Sequence, residues 1–295
     1  MFNEHPLPDV DAWLAIFANS ALPVLRHSEN EISRLREDEE NTNGRILAGV
    51  ILHDPLLTLR VLVYIEEHRR QRQTTDITTI DRAIMMIGIT PFFRAFSELP
   101  IIEDRLRDYP QALLGLLKAI GRARRAAHWA REWAIQRRDM DVDEITLATL
   151  LHDVAEMMMW LYAPKMALQF RDAQRASPTR RSALIQEEVF GLPLYKLKLA
   201  LAEAWHLPAL VAQLLDDRLS ENPRVRNVKL AVDLARHAAN GWTDPALPDD
   251  FKGIRNLLHI NQQALLRHLD VSEEEAQLIL AMAPPDAEGQ AAAPD

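Results

Sequence analysis

Apolar residues return along most of this chain at alternating spacings of three and four, the period of a helix with one buried face. Strict alternation, the mark of a half-buried strand, forms no run long enough to count as an element. Ile145, Ala148, His152, Ala155 and Met159 form one such helical stripe, so His152 is expected to point inward beside core side chains. Asp153 follows about 100° further round and is expected to reach the same space only from its edge. Asp141 and Glu144, three apart and ahead of an apolar run, read as an N-cap with a capping box.

The same reading gives a series of helices. One runs from Asp9 or Asp11 to Asn19 with Trp13, Ile16 and Phe17 inward, and another starts near Val24 and closes in the acidic surface run at 36–40. Asp54-Pro55 joins two more, because Asp caps the first turn and Pro lacks only an N–H that would be unpaired there. Further helices are expected from Asp76 to Gly88, over Phe92 to Leu99, from Gln111 to about Arg138, through the His152 stripe, from Pro164, over Ala183 to Phe190, over Tyr195 to Trp205, and from Pro208 to Leu215. Val225 to Ala239, Phe251 to Leu258, Asn261 to Leu269 and a segment capped by Ser272 complete the set. Only 9 glycines interrupt the 295 residues, which suits an all-α, multi-helix globular bundle.

Composition narrows the function classes. Zero cysteines exclude disulfides and thiolate metal sites, and the N-terminus has neither a basic region nor a long apolar stretch, so a cytoplasmic protein without a membrane partner is expected. A formal charge of −9 opposes wholesale nucleic-acid binding. The basic clusters at 69–72, 122–125, 137–138 and 180–181 read first as solvated helix faces. No Gly-rich phosphate loop is present.

An adjacent His and Asp in an apolar segment need a reason, since a buried carboxylate must be paired. Three separated segments supply one: Val50 to Leu62 with its Asp54-Pro55, Ile80 to Gly88, and Leu150-Leu-His152-Asp153 with Glu188, Gly191 and Ala204-Trp-His-Leu-Pro208 downstream. Together they resemble the HD-related output domain, or HDOD, family of bacterial signalling proteins, over about Leu22 to Ala239. The resemblance implies an HD-like helical bundle over 22–240; the periodicity adds an N-terminal helix at 1–21 and a helical extension at 241–282, and the Ala-, Pro- and acid-rich 283–295 reads as a disordered tail.

The parent HD superfamily, as the resemblance implies, holds a divalent metal with a first His, the His-Asp pair and a later Asp. Here His152, Asp153 and Asp233 match, but the position thirty residues ahead of His152 is Arg122, a group that only donates. His128 lies six residues further on and is expected to face elsewhere, Leu194 stands where many relatives carry His, and Asp217-Arg218 lie near a downstream His-His pair. Arg122, His152, Asp153 and Asp233 are therefore expected to form a degenerate site without metal or other cofactor, in which Arg122 pairs Asp153 and extends to Asp233. The family resemblance implies a non-catalytic signalling protein that contacts a protein partner, standing alone because no receiver, GGDEF or EAL segment occurs in the sequence. The alternatives are a metal-dependent phosphohydrolase, for instance on cyclic dinucleotides, and a nucleotide-sensing domain using Arg122, Arg124 and Arg125.

Overall fold

The computed structural model describes residues 2–69, 78–177, 180–269 and 271–282. Arg70 and Arg72, the expected helix start at Asp76, and the tail at 283–295 lie outside them. Among the described residues the regular structure is helical, with two isolated bridges, Val24 to Ile101 and Ala239 to Gly241, and no strand. The order is α1 Val10–Phe17, α2 Arg26–Glu37, α3 Gly44–Leu52, α4 Pro55–Arg69, α5 Ile80–Ile87, α6 Ile89–Ala95, α7 Ile102–Arg105, α8 Pro110–Gln136, α9 Val142–Leu151, α10 Val154–Tyr162, α11 Pro164–Ala176, α12 Ser182–Phe190, α13 Leu194–Ala204, α14 Ala209–Leu214, α15 Pro223–His237, α16 Leu247–Leu258, α17 Gln262–Leu269 and α18 Glu273–Met282.

The 27-residue α8 is the spine. It packs against α9, α10, α11 and α15, and α17 reaches it from the C-terminal end. Its buried face is made largely of Ala112, Gly115, Ala119, Ala123, Ala126 and Ala130, small residues that let neighbouring helices approach closely. Gly115 is the tightest of these contacts. A Cβ built there would lie 2.5 Å from the Trp160 ring on α10. Gly115→Ala is therefore expected to destabilise by about 2 kcal/mol through overpacking, read as a lower urea midpoint with an unchanged m-value.

Asp54 does more than cap α4. One carboxylate oxygen accepts from the backbone N–H of Leu56 and Leu57 at 3.0 and 3.2 Å, and the other accepts from Leu25 N–H at 2.7 Å. It is fully buried, so this side chain ties the start of α2 to the start of α4 inside the core. At the other end, Ser272 and Glu275 cap α18 reciprocally, each side chain accepting from the other's backbone N–H.

The N-terminus is stitched down. Asp9 caps α1, Trp13 and Phe17 are buried, and Trp13 Nε1 donates to the Phe190 carbonyl at 3.2 Å. Asn3 N–H donates to the Tyr162 carbonyl at 2.7 Å. Gly191, at φ +81°, ends α12 directly beneath the Leu7 carbonyl, which an added Cβ would meet at 2.8 Å. Met157, Met158 and Met159 are all buried, so this run fills the core rather than forming an adaptable surface.

Candidate functional site

The helix expected to run through His152 is broken there. α9 ends at Leu151, α10 begins at Val154, and Asp153 takes φ −95°, ψ 22° between them. Where a continuous helix would place Asp153 at the edge of the space His152 enters, the break brings both side chains into it. They lie 8% and 12% exposed, with His152 Nδ1 3.2 Å from Asp153 Oδ1. The expected capping box does not form. Asp141 makes no side-chain cap and pairs with Arg224 at 2.5 Å, while Glu144 accepts from the Thr78 hydroxyl.

His152 Nε2 meets two groups from other elements. Lys198 Nζ on α13 lies at 2.7 Å and Asp217 Oδ1 at 2.9 Å. Lys198 also reaches Asp217 Oδ2 at 3.2 Å. Both ring nitrogens are therefore engaged in either tautomer, Nε2 by the Lys198 ammonium and the Asp217 carboxylate and Nδ1 by Asp153. Asp153 receives Arg236 of α15 at 3.2 Å, and Asp233 is held by Lys229 and, at 3.6 Å, by Arg236.

Arg122 reaches Asp153 as expected, but Glu156 is its closer partner. Its Nη2 lies 2.8 Å from each Glu156 oxygen and 4.0 Å from Asp153 Oδ2. It makes no bond to Asp233. Trp160 Nε1 also donates to Glu156, at 3.2 Å, so the indole that Gly115 accommodates helps hold the carboxylate. The closer cation on Asp153 is Arg236, because α15 packs across the break while α8 presents Arg122 one turn along α10. Arg122, His152, Asp153, Asp217, Asp233, Lys198 and Arg236 line one cavity of about 250 Å³.

Burial alone would raise the Asp153 carboxyl, but Arg236, then His152 and Arg122, outweigh it and hold Asp153 far below the usual carboxylate range. Asp217 behaves alike, with burial outweighed by His152 and Lys198. Burial lowers the Lys198 ammonium, against the pull of Asp217. The site is a closed lattice of alternating charges.

Such a lattice does not fit a divalent metal. Both imidazole nitrogens of His152 are engaged, Nε2 by Lys198 and Asp217 and Nδ1 by Asp153, and the carboxylates are engaged by Arg236, Lys229 and Lys198. Among the described residues no group of three His, Cys, Asp or Glu side chains is arranged to hold an ion. His128 is exposed on another face, and Arg124 is exposed away from the cavity walls.

The sequence reading missed Glu156, Lys198 and Arg236, and each had a signal. Glu156 follows Asp153 by three and precedes Trp160 by four, Lys198 sits on the stripe of Leu194 and Leu201, and Arg236 follows Asp233 by three. A cation on an apolar stripe marks a buried partner.

Nearby, His237 Nδ1 lies 2.6 Å from Asp250 Oδ2, and that bond raises the imidazole above its ordinary value of 6.5, with Asp233 and Asp244 acting in the same direction. A raised folded value gives stability that is complete below pH 6.5 and lost as pH climbs through the folded value. Urea midpoints at pH 6 and pH 8 are expected to fall in the native chain across that window and to fall less in His237→Gln.

No helix of the described residues is long and apolar enough to cross a membrane. Residues 22–217 match the family described as HDOD domain. The fold is similar to that of the MmoQ response regulator of Methylococcus capsulatus, with a TM-score of 0.64 and 19% identity over 86% of this chain and 100% of that one. It is also similar to a virulence factor of Campylobacter jejuni, with a TM-score of 0.57 and 16% identity over 94% and 96% of the two chains. No curated protein matches the chain. At these identities the likeness is one of fold.

Proposed function

The chain belongs to the HDOD domain family, and on that premise we propose that it is a non-catalytic, cytoplasmic signalling protein that works through contact with a protein partner. The observation that carries the reading is the Lys198 ammonium on His152 Nε2, with Arg122 standing where the superfamily's first metal-binding His would be. Lys198, Arg236 and Arg122 stand among Asp153, Asp217 and Asp233 as paired charges, which supports a polar centre with no open position for a metal-bound water. The signalling half draws support from MmoQ, a response regulator built on this fold.

The test is metal content and turnover together. Elemental analysis of the purified chain is expected to find no stoichiometric Mn, Fe, Ni or Zn, and phosphodiesterase assays with added Mn²⁺ are expected to give the same background in the native chain and in His152→Ala. One tightly held metal per chain, or activity that vanishes in His152→Ala, would make the phosphohydrolase reading the correct one. Pull-down from the native cell identifies the partner.

A further inference from the structure

A second cavity, of about 850 Å³, opens beside the paired site and shares Arg122, Glu156 and Arg236 with it. Its walls come from α8, α10, α11, the start of α12 and the end of α15. Eight Lys and Arg side chains line it against two carboxylates, Glu156 and Asp244, in a chain whose net charge is −9. Most of these cations are solvent-exposed, as a solvated helix face requires, and the fold sets them around one concave space in a chain that is acidic overall. The sequence reading treated these basic clusters one by one, on separate helices; the fold gathers parts of two of them, with Lys118 and Arg175, around one space.

Four of the cations are already occupied. Arg122 is held by Glu156, Arg236 by Asp153, Arg171 by Asp172, and Arg180 by Glu188. Lys118, Arg175 and Arg181 make no ion pair among the described residues, Arg125 has only the longer-range attraction of Glu275, and the four approach the cavity from three different elements. The Arg122 Nε–H is buried in the shared wall without an acceptor, a donor that the protein itself does not satisfy.

We propose that this cavity binds a multiply phosphorylated small molecule of the nucleoside triphosphate class, its phosphates held by Lys118, Arg125, Arg175 and Arg181. Several unpaired cations converging on one concave space suit a compact polyanion, because each added phosphate oxygen finds a further charged donor. The volume is that of a small-molecule site. A long polyanion is disfavoured by the net charge of −9 that the chain carries as a whole. A bound phosphate would also compete with Glu156 for Arg122 and with Asp153 for Arg236, which gives the ligand a direct hold on the buried charge lattice. That consequence deepens and rests on the regulatory reading above; the binding itself does not.

Calorimetric titration of the full chain tests it, with GTP, inorganic tripolyphosphate, orthophosphate, guanosine and a short single-stranded oligonucleotide as probes. GTP and tripolyphosphate are expected to bind, orthophosphate at least about tenfold more weakly, and guanosine not at all. Lys118→Glu with Arg175→Glu is expected to weaken GTP by about tenfold or more while leaving the thermal midpoint unchanged, both residues being exposed. The charge-matched change Arg94→Glu on α6 should have no effect. No binding of GTP or tripolyphosphate, binding indifferent to the double change, guanosine as tight as GTP, or an oligonucleotide that binds tighter than GTP would each overturn the proposal. Recovery of GTP intact leaves both readings standing, whereas turnover lost in His152→Ala would keep this site and remove the non-catalytic reading.

Discussion

Replacing Arg122 with alanine is expected to lower the unfolding free energy by about 3 kcal/mol, because it strands a carboxylate rather than merely deleting a contact. Glu156 is 19% exposed and would keep only the Trp160 indole as donor, while Asp153 would lose its second guanidinium. The value sits at the low end for a broken buried pair, since about a fifth of each partner remains in contact with water. A double-mutant cycle separates the two partners. Coupling of Arg122 to Glu156 should exceed its coupling to Asp153 by about 1 kcal/mol, as expected for a charged hydrogen-bonded pair at 2.8 Å against an approach at 4.0 Å. Chemical denaturation of the four chains in each cycle measures it, and a single change under about 0.5 kcal/mol would make Arg122 an ordinary surface residue.

Asp54→Ala is expected to cost about 3 kcal/mol or more, well beyond the usual loss of a helix cap. An exposed cap leaves water to satisfy the freed N–H groups, but Asp54 is fully buried and serves Leu25, Leu56 and Leu57 at once. The change therefore strands donors at the starts of two helices. Asp54→Asn keeps one oxygen acceptor and is expected to lose less than Asp54→Ala. Equal losses in the two variants, read from urea midpoints, would show that the shape of the side chain matters and its hydrogen bonds do not.

Those two residues also mark what could be read before the structure. Asp54-Pro55 announces its helix because the chemistry is local: a cap, and a ring that fits the first turn. The helical class follows from periodicity in the same way, and most predicted helices lie within a few residues of the observed ones. The break at His152-Asp153 had no such marker. Both residues are tolerated in a helix, neither Gly nor Pro interrupts the run, and the groups that engage the two side chains, Lys198, Asp217 and Arg236, come from 46 to 83 residues away. Arg122 was legible as a departure from the metal-binding pattern, yet its partner was not, because the choice between Asp153 and Glu156 depends on how α8 and α10 cross. Asp141 shows the reverse case. Its cap signal was sound locally and lost to Arg224, a tertiary partner.

The stitched N-terminus has a consequence for where this protein can be cut. The family match starts at residue 22, yet Trp13 and Phe17 lie wholly inside the core, and the Leu7 carbonyl covers Gly191. A chain begun at Leu22 would bare the Phe190 and Tyr162 side of the bundle as a greasy seam and leave the Phe190 and Tyr162 carbonyls without their partners. The inherited module and the folding body therefore have different edges, and trimming to the first would leave the second with a sticky flank.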